Sequence, residues 1–163
     1  MNTKEAIRAS ADLSRLVLTS FVSDLDDSEL MIRPGEGCNH LAFQLGHLIA
    51  AECQLLEMVK PGAAIALPEG FAEQHSKEAA GEDDPAKFHT KQEYLDLLDK
   101  VTQATMAALE ATSDEELDTP SPEHFAQFAP THGHIYSLIA THPMMHAGQF
   151  VPVRRKLGKP VLM

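Results

Sequence analysis

The sequence predicts an all-α fold, a four-helix bundle forming one domain over residues 1–163. Three observations carry that prediction. Apolar residues recur at helical spacing in four separate stretches. No stretch alternates apolar and polar residues convincingly, as a half-buried strand does. Helix start and stop signals stand where the periodic stretches begin and end.

The first helix is expected from about Thr3 to Asp24, where Ile7, Ala11, Leu18, Phe21, Val22 and Leu25 trace a broad apolar stripe. The second is expected from about Asn39 to Lys60 and stops at Pro61-Gly62. Its apolar set (Leu41, Leu45, Leu48, Ile49, Leu55, Leu56, Val59) runs nearly all round the helix, which implies burial. The third opens on a capping box, Thr90-Lys91-Gln92-Glu93, whose side chains satisfy free backbone N–H groups of the first turn. Tyr94, Leu97, Leu98, Val101, Ala108 and Leu109 then follow helical spacing. The fourth runs from about Thr131 to Phe150 and contains Pro143, which has no N–H for the carbonyl four residues back and is expected to kink or locally open it.

Between the second and third helices lies a long connection, about Pro61 to His89, rich in Gly, Ala, Glu and Pro. Connections of that length in compact domains serve as functional covers or mobile segments. The chain also carries a faint internal echo. Each half reads helix, acidic turn (Asp26–Leu30, Ser113–Leu117), proline-bearing link, histidine-bearing helix. A pseudo-twofold arrangement brings the two histidine-bearing helices together at the centre.

Composition narrows the function. Hydrophobic residues make up 44%, against intrinsic disorder. The apolar segments are interrupted by Gln, His, Glu or Gly, so no membrane span is expected. The N-terminus, Met-Asn-Thr-Lys-Glu, runs straight into helical periodicity without a signal-peptide block, so a cytoplasmic location is the simplest expectation. Thirteen Lys+Arg against 24 Asp+Glu give a net charge of −11, a field that repels phosphate backbones and sets nucleic acid aside as a partner. The basic cluster Arg154-Arg155-Lys156 with Lys159 is read as complementing a helix C-terminus. Cys38 and Cys53 are too few for a disulfide scaffold and form no Cys-x-x-Cys pair; Cys53, in an apolar helix pattern, reads as a small buried hydrophobe.

The chemistry lies in the histidines. His142 and His146 stand one helical turn apart on one face, close enough for two imidazoles to converge on one transition-metal ion. His47 is the histidine within the other strongly apolar helix. Meeting in a bundle, the three supply nitrogens at about 2.0–2.1 Å from zinc and leave a fourth position open, as catalytic sites do. Neutral imidazole also suits nickel, iron and copper. The competing reading is an ordinary bundle with buried, hydrogen-bonded histidines. His75, His89 and His124 sit in polar, loop-like context and are expected to be solvated, and His132 and His134 point in different directions. His40, near the start of the second helix, is a reserve ligand. Gly148 suggests close helix approach, Gln149 a hydrogen bond that fixes an imidazole, and Met31, Met144 and Met145 core filler.

The wording around these residues resembles the DinB/YfiT-like superfamily of metalloenzymes. Asn39-His40-Leu41-Ala42-Phe43-Gln44-Leu45-Gly46-His47 is similar to its pattern Asn-Ser-x-Ala-Trp-x-x-Gly-His. His142-Pro143-Met144-Met145-His146-Ala147-Gly148-Gln149, followed by Arg155-Lys156-Leu157-Gly158, fits its His-x-x-x-His-x-Gly-Gln with a basic residue, Leu and Gly. The turns ending in Glu29-Leu30 and Glu116-Leu117 resemble family turns. The resemblance covers most of the chain, and the 61–89 connection matches nothing in it. It implies a four-helix bundle with a non-sequential helix order, a homodimer, and a three-histidine divalent-metal site near one end with His47, His142 and His146 as ligands. Relatives include thiol-dependent S-transferases and a mycothiol-dependent isomerase. Phe43 stands where the family often has Trp and His40 where it often has Ser; both adjoin the site and bear on substrate.

The expected function is therefore that of a divalent-metal-dependent enzyme (zinc, nickel or iron), a thiol-dependent transferase or a hydrolase acting on a small molecule, with a low-molecular-weight thiol as possible co-substrate. Glu52 and His40 are the nearby candidate proton carriers. The alternative is a non-enzymatic metal- or ligand-binding dimeric bundle of the stress response, favoured if a fourth protein ligand closes the site.

Overall fold

A computed structural model describes residues 1–161, and among them seven α-helices and no strand. They are α1 (Thr3–Val22), α2 (Leu41–Val59), α3 (Phe71–Gln74), α4 (Lys91–Ala111), α5 (Asp114–Leu117), α6 (Glu123–Ala126) and α7 (His132–Lys156). The expected helices are the four long ones, α1, α2, α4 and α7. Each acidic turn folds into a short helical element, a 3-10 turn over Glu29–Met31 and α5 over Asp114–Leu117. The Thr90–Glu93 capping box forms, and Asn2–Glu5 and Ser113–Glu116 make two more at α1 and α5.

Pro143 does not open its helix. α7 continues through Pro143 and Pro152 to Lys156, past the expected end at Phe150. Each proline removes one backbone bond, but Ile139, Ala140, His146, Ala147, Phe150 and Val153 are buried along the same helix, and their packing holds it continuous.

Around the bundle the helices follow the order α1, α7, α2, α4, so α1 neighbours α7 and α4 while α2 packs between α4 and α7. The order is non-sequential, and the two histidine-bearing helices lie side by side. Polar contacts fix the directions. Arg154, at the end of α7, reaches Asp24 just past the end of α1, so these two run parallel. Lys4 at the start of α1 donates to the carbonyl of Glu110 at the end of α4, so that pair is antiparallel.

Arg154 sharpens the reading of the basic cluster: it stands in the last turn of α7 and donates to a carbonyl in the last turn of α1. It is fully buried and internal to the fold. Its Nη1 and Nη2 donate to the Asp24 carboxylate at 2.6 and 3.1 Å, and further N–H groups reach the carbonyls of Phe21 and Pro160, both at 2.7 Å. The guanidinium holds the Asp24 carboxyl below the usual carboxylate range. A fork of five donors meets this set of oxygens where a lysine does not.

The 61–89 connection is docked onto the bundle. Phe71 and His75 are each 1% exposed. Arg33 anchors the later part, donating to Asp83 and to the carbonyls of Ala80 and Glu82. Gly46 of α2 makes the docking possible: a Cβ there would lie 2.1 Å from the His75 ring. Glycine is required at that position by close approach, with an ordinary helical backbone. Among the described residues, no helix is long and apolar enough to cross a membrane.

Candidate metal centre

The site is built on two helical segments. Residues 44 and 47 lie one turn apart on α2, and residues 142 and 146 one turn apart on α7; Gln44 meets His146 while Leu55 and Met58 share a groove with Leu138, so the two helices run antiparallel and set the two pairs face to face. One nitrogen from each of His47, His142 and His146 lies within 4.8 Å of the others, and among the described residues the group has three members. The His47 ring centre is 5.4 Å from each of the other two, which are 4.9 Å apart. His146 is buried, while His47 and His142 are half-buried.

Hydrogen bonding fixes which nitrogens face inward. The Gln44 amide N–H₂ donates to the Asn39 carbonyl at 2.8 Å, which turns its Oε1 towards α7. That oxygen accepts from His146 Nδ1–H at 2.9 Å. In the neutral ring, Nε2 of His146 is therefore left with a free lone pair. It faces Nε2 of His142 at 3.2 Å. Two nitrogens bound tetrahedrally at zinc distances stand about 3.3 Å apart. The donor set fits a divalent transition metal in number and chemistry, and the His142–His146 pair fits it in spacing.

Burial keeps these rings neutral. It pushes the His47 imidazole below its ordinary value, that of His142 down to about 4 and that of His146 to about 3, with the neighbouring imidazoles adding to the effect for the last two. Deprotonated imidazole is the form that binds a metal.

Several expectations do not survive this geometry. His40 is buried, but as the N-cap of α2: its Nδ1 accepts from the Phe43 N–H at 3.0 Å and its Nε2 donates to the Glu82 carbonyl at 3.2 Å. Both nitrogens are committed, so the reserve ligand is structural. Glu52 lies five residues past His47, about 140° further round α2. Its Oε1 accepts from Thr105 at 2.7 Å, in the interior beside α4. Burial raises its carboxyl to about 7, but it does not join the histidine group.

His75 is fully buried instead of solvated. Its Nδ1–H donates to the Phe71 carbonyl and its Nε2 accepts from the Tyr94 hydroxyl, both at 2.8 Å, while burial brings its pKa down to about 4. His89 is partly buried beside Phe71 and Tyr94, whereas His124 is exposed as expected. Gly148 has open space around it, so it serves no close helix contact. Gln149 is exposed, and Gln44 makes the bond assigned to it. Met31 and Met144 pack against the core, but Met145 is 59% exposed. Both cysteines are free, and burial raises the Cys53 thiol to about 11.

Gln44 is the residue that sequence reasoning missed. Its signal was available, since it precedes His47 by three residues and so shares that histidine's side of the helix.

A model of the DinB superfamily matches residues 11–150, a span that holds all three histidines and Gln44. The chain belongs to the DinB superfamily. No curated protein matches it. As a DinB protein it is a helical bundle, and its three-histidine group fits metal binding. Its departures from the family wording acquire local reasons. His40 serves as a helix cap, and Phe43 packs against the His40 and His75 rings at centre distances of 6.3 and 6.0 Å.

Proposed function

We propose that this DinB protein is a divalent-metal-dependent enzyme acting on a small molecule, with His47, His142 and His146 as its ligands. The observation that carries the reading is the 3.2 Å approach of two imidazole nitrogens, one of them held bare by the chain Asn39–Gln44–His146. Zinc, nickel and iron all suit three imidazoles. A bound ion supplies Lewis acidity, lowering the pKa of a water or thiol that it binds.

The rest is done by the chain itself. α2 and α7 hold the three rings before the metal arrives, so little ordering cost falls on binding. Gln44 sets the tautomer of His146. Of the two chemistries considered, a thiol-dependent transfer is favoured over hydrolysis. Neither Glu52 nor His40 stands at the group to take a proton, and a thiol, with an ordinary pKa of about 8.5, gives up its proton far more readily than water. A low-molecular-weight thiol is accordingly the proposed co-substrate. We place the protein in the cytoplasm as a homodimer; exposed Leu13 and Leu16 on α1 supply an apolar contact for a second copy.

Elemental analysis of the purified protein and of three single variants tests the reading. The wild type is expected to hold about one divalent ion per chain. His47→Ala, His142→Ala and His146→Ala are each expected to lose stoichiometric metal while keeping a native helical circular-dichroism spectrum. Retention of metal by any one removes that residue from the ligand set. A fully coordinated ion, with no exchangeable ligand by X-ray absorption, returns the centre to a non-enzymatic role.

A further inference from the structure

Beside the histidine group, α2, α7 and the α6 region enclose an open groove of about 550 Å³. That volume lies in the range of small-molecule sites. His142 stands in its wall, so groove and histidine group share a residue. The other walls are mainly apolar: Leu55 and Met58 from α2, Leu138 and Met145 from α7, Phe125 and Phe128 from the α6 region. Gln54 and Thr141 add neutral polar groups. Among the described residues, no Asp, Glu, Lys or Arg lines it, although the chain has a net charge of −11.

The groove has a direction. Ala51, Leu55 and Met58 follow His47 along α2, and Met58 lies about 16 Å further along the axis at 1.5 Å per residue. One end therefore abuts the imidazoles and the other is apolar. At its rim Phe128 is 72% exposed and Met145 59% exposed, so large apolar side chains stand against water. Away from the histidine end, a carboxylate or phosphate on the occupant would lose its hydration without meeting a cation, inside a repelling field. A cationic occupant would meet no carboxylate in the walls.

We infer that this groove binds the uncharged apolar tail of a small molecule whose polar head meets the three-histidine group. The tail's binding stands on the groove alone, whereas the head's position rests on the metal-site reading above.

Two titrations test it. N-phenyl-1-naphthylamine, a neutral fluorophore, is expected to bind the metal-free protein saturably at one per chain, at least tenfold tighter than its anionic relative 8-anilinonaphthalene-1-sulfonate. Phe128→Glu and Met145→Glu, both at exposed positions, are expected to weaken it at least tenfold with unchanged helix content. In the zinc-loaded protein, 4-phenylbutanohydroxamate is expected to bind at least tenfold tighter than acetohydroxamate, with the gain lost in both variants. Failure of the fluorophore to bind, preference for the anionic dye, or indifference to both variants overturns the groove. Fluorophore binding without a hydroxamate gain in a protein shown to hold zinc overturns the head-to-tail arrangement. A protein that binds the fluorophore but no zinc sinks the metal reading and leaves the tail site standing. Sedimentation of the same variants separates the remaining occupant: a dimer split by Phe128→Glu, with no dye binding, assigns the groove to a second copy of the chain and overturns the proposal.

Discussion

Two sets of histidines flank α2, and they differ in what their nitrogens meet. Near its start and against the 61–89 connection, His40 and His75 are buried with all four ring nitrogens engaged by protein groups: a backbone N–H, two carbonyls and the Tyr94 hydroxyl. On the side facing α7, His47, His142 and His146 turn nitrogens towards one another, and among the described residues only His146 Nδ1 is tied to another part of the protein, by Gln44. Burial and depressed pKa values occur in both sets, so neither property marks a site. What separates them is whether the protein completes the valence of each nitrogen. Where it does, the histidine is a packing and capping residue. Where nitrogens face one another instead, the group could hold a metal ion.

If the first set is structural, its disruption costs stability and leaves the ligand geometry to be tested separately. The largest such effect is expected for Gly46→Ala, which places a Cβ 2.1 Å from the His75 ring. Displacing that ring strands the Tyr94 hydroxyl and undocks Phe71; a loss of about 3 kcal/mol in urea unfolding is expected. A cost under about 0.5 kcal/mol would mean the ring shifts freely and the connection is loosely held.

Titration compares the sets through pH. The buried His75, at about 4 when folded, binds its proton less readily than in the unfolded chain, near 6.5. As pH falls through that window the unfolded state takes up more protons, so metal-free protein loses stability, by up to about 3 kcal/mol from His75 alone. His142 and His146 act in the same direction; bound metal, which also takes the deprotonated rings, is expected to add stability throughout without removing their share of the pH dependence. Glu52 has the opposite sign. Its carboxyl, raised to about 7 from 4.5, holds a proton when folded and loses it as pH rises, which weakens the fold towards pH 8. Glu52→Gln keeps an acceptor for Thr105 and is expected to gain about 2 kcal/mol at pH 8 and almost nothing at pH 4. Thermal or urea unfolding at the two pH values reads the difference.

A finer test of the open set is Gln44→Leu. Without the amide oxygen, His146 is free to change tautomer and tilt, and metal affinity is expected to fall about 10–100-fold with the fold intact. Competition with a chelator measures it; unchanged affinity would remove Gln44 from the site. Smallest is Gly148→Ala. Nothing stands within 4 Å of its missing Cβ, so alanine is expected to add about 0.5–1 kcal/mol to unfolding stability and leave metal content alone. The same substitution thus has opposite signs at the two glycines of the family wording.

The one-dimensional pattern determined a good deal of this protein. Apolar periodicity and caps placed the four long helices, because those signals act within one or two turns of the chain. The His-x-x-x-His spacing put His142 and His146 side by side for the same reason. Tertiary structure alone decided the rest. It carried α7 through Pro143 and Pro152, since packing outweighed two missing bonds, and it buried His75 in a hollow that only Gly46 leaves open. It also brought Gln44 against His146, 102 residues away, and closed a groove between helices that are not neighbours in sequence. Contacts of that kind depend on which faces meet across the bundle; residue spacing puts Gln44 on the His47 side of its helix but does not name the partner it meets there.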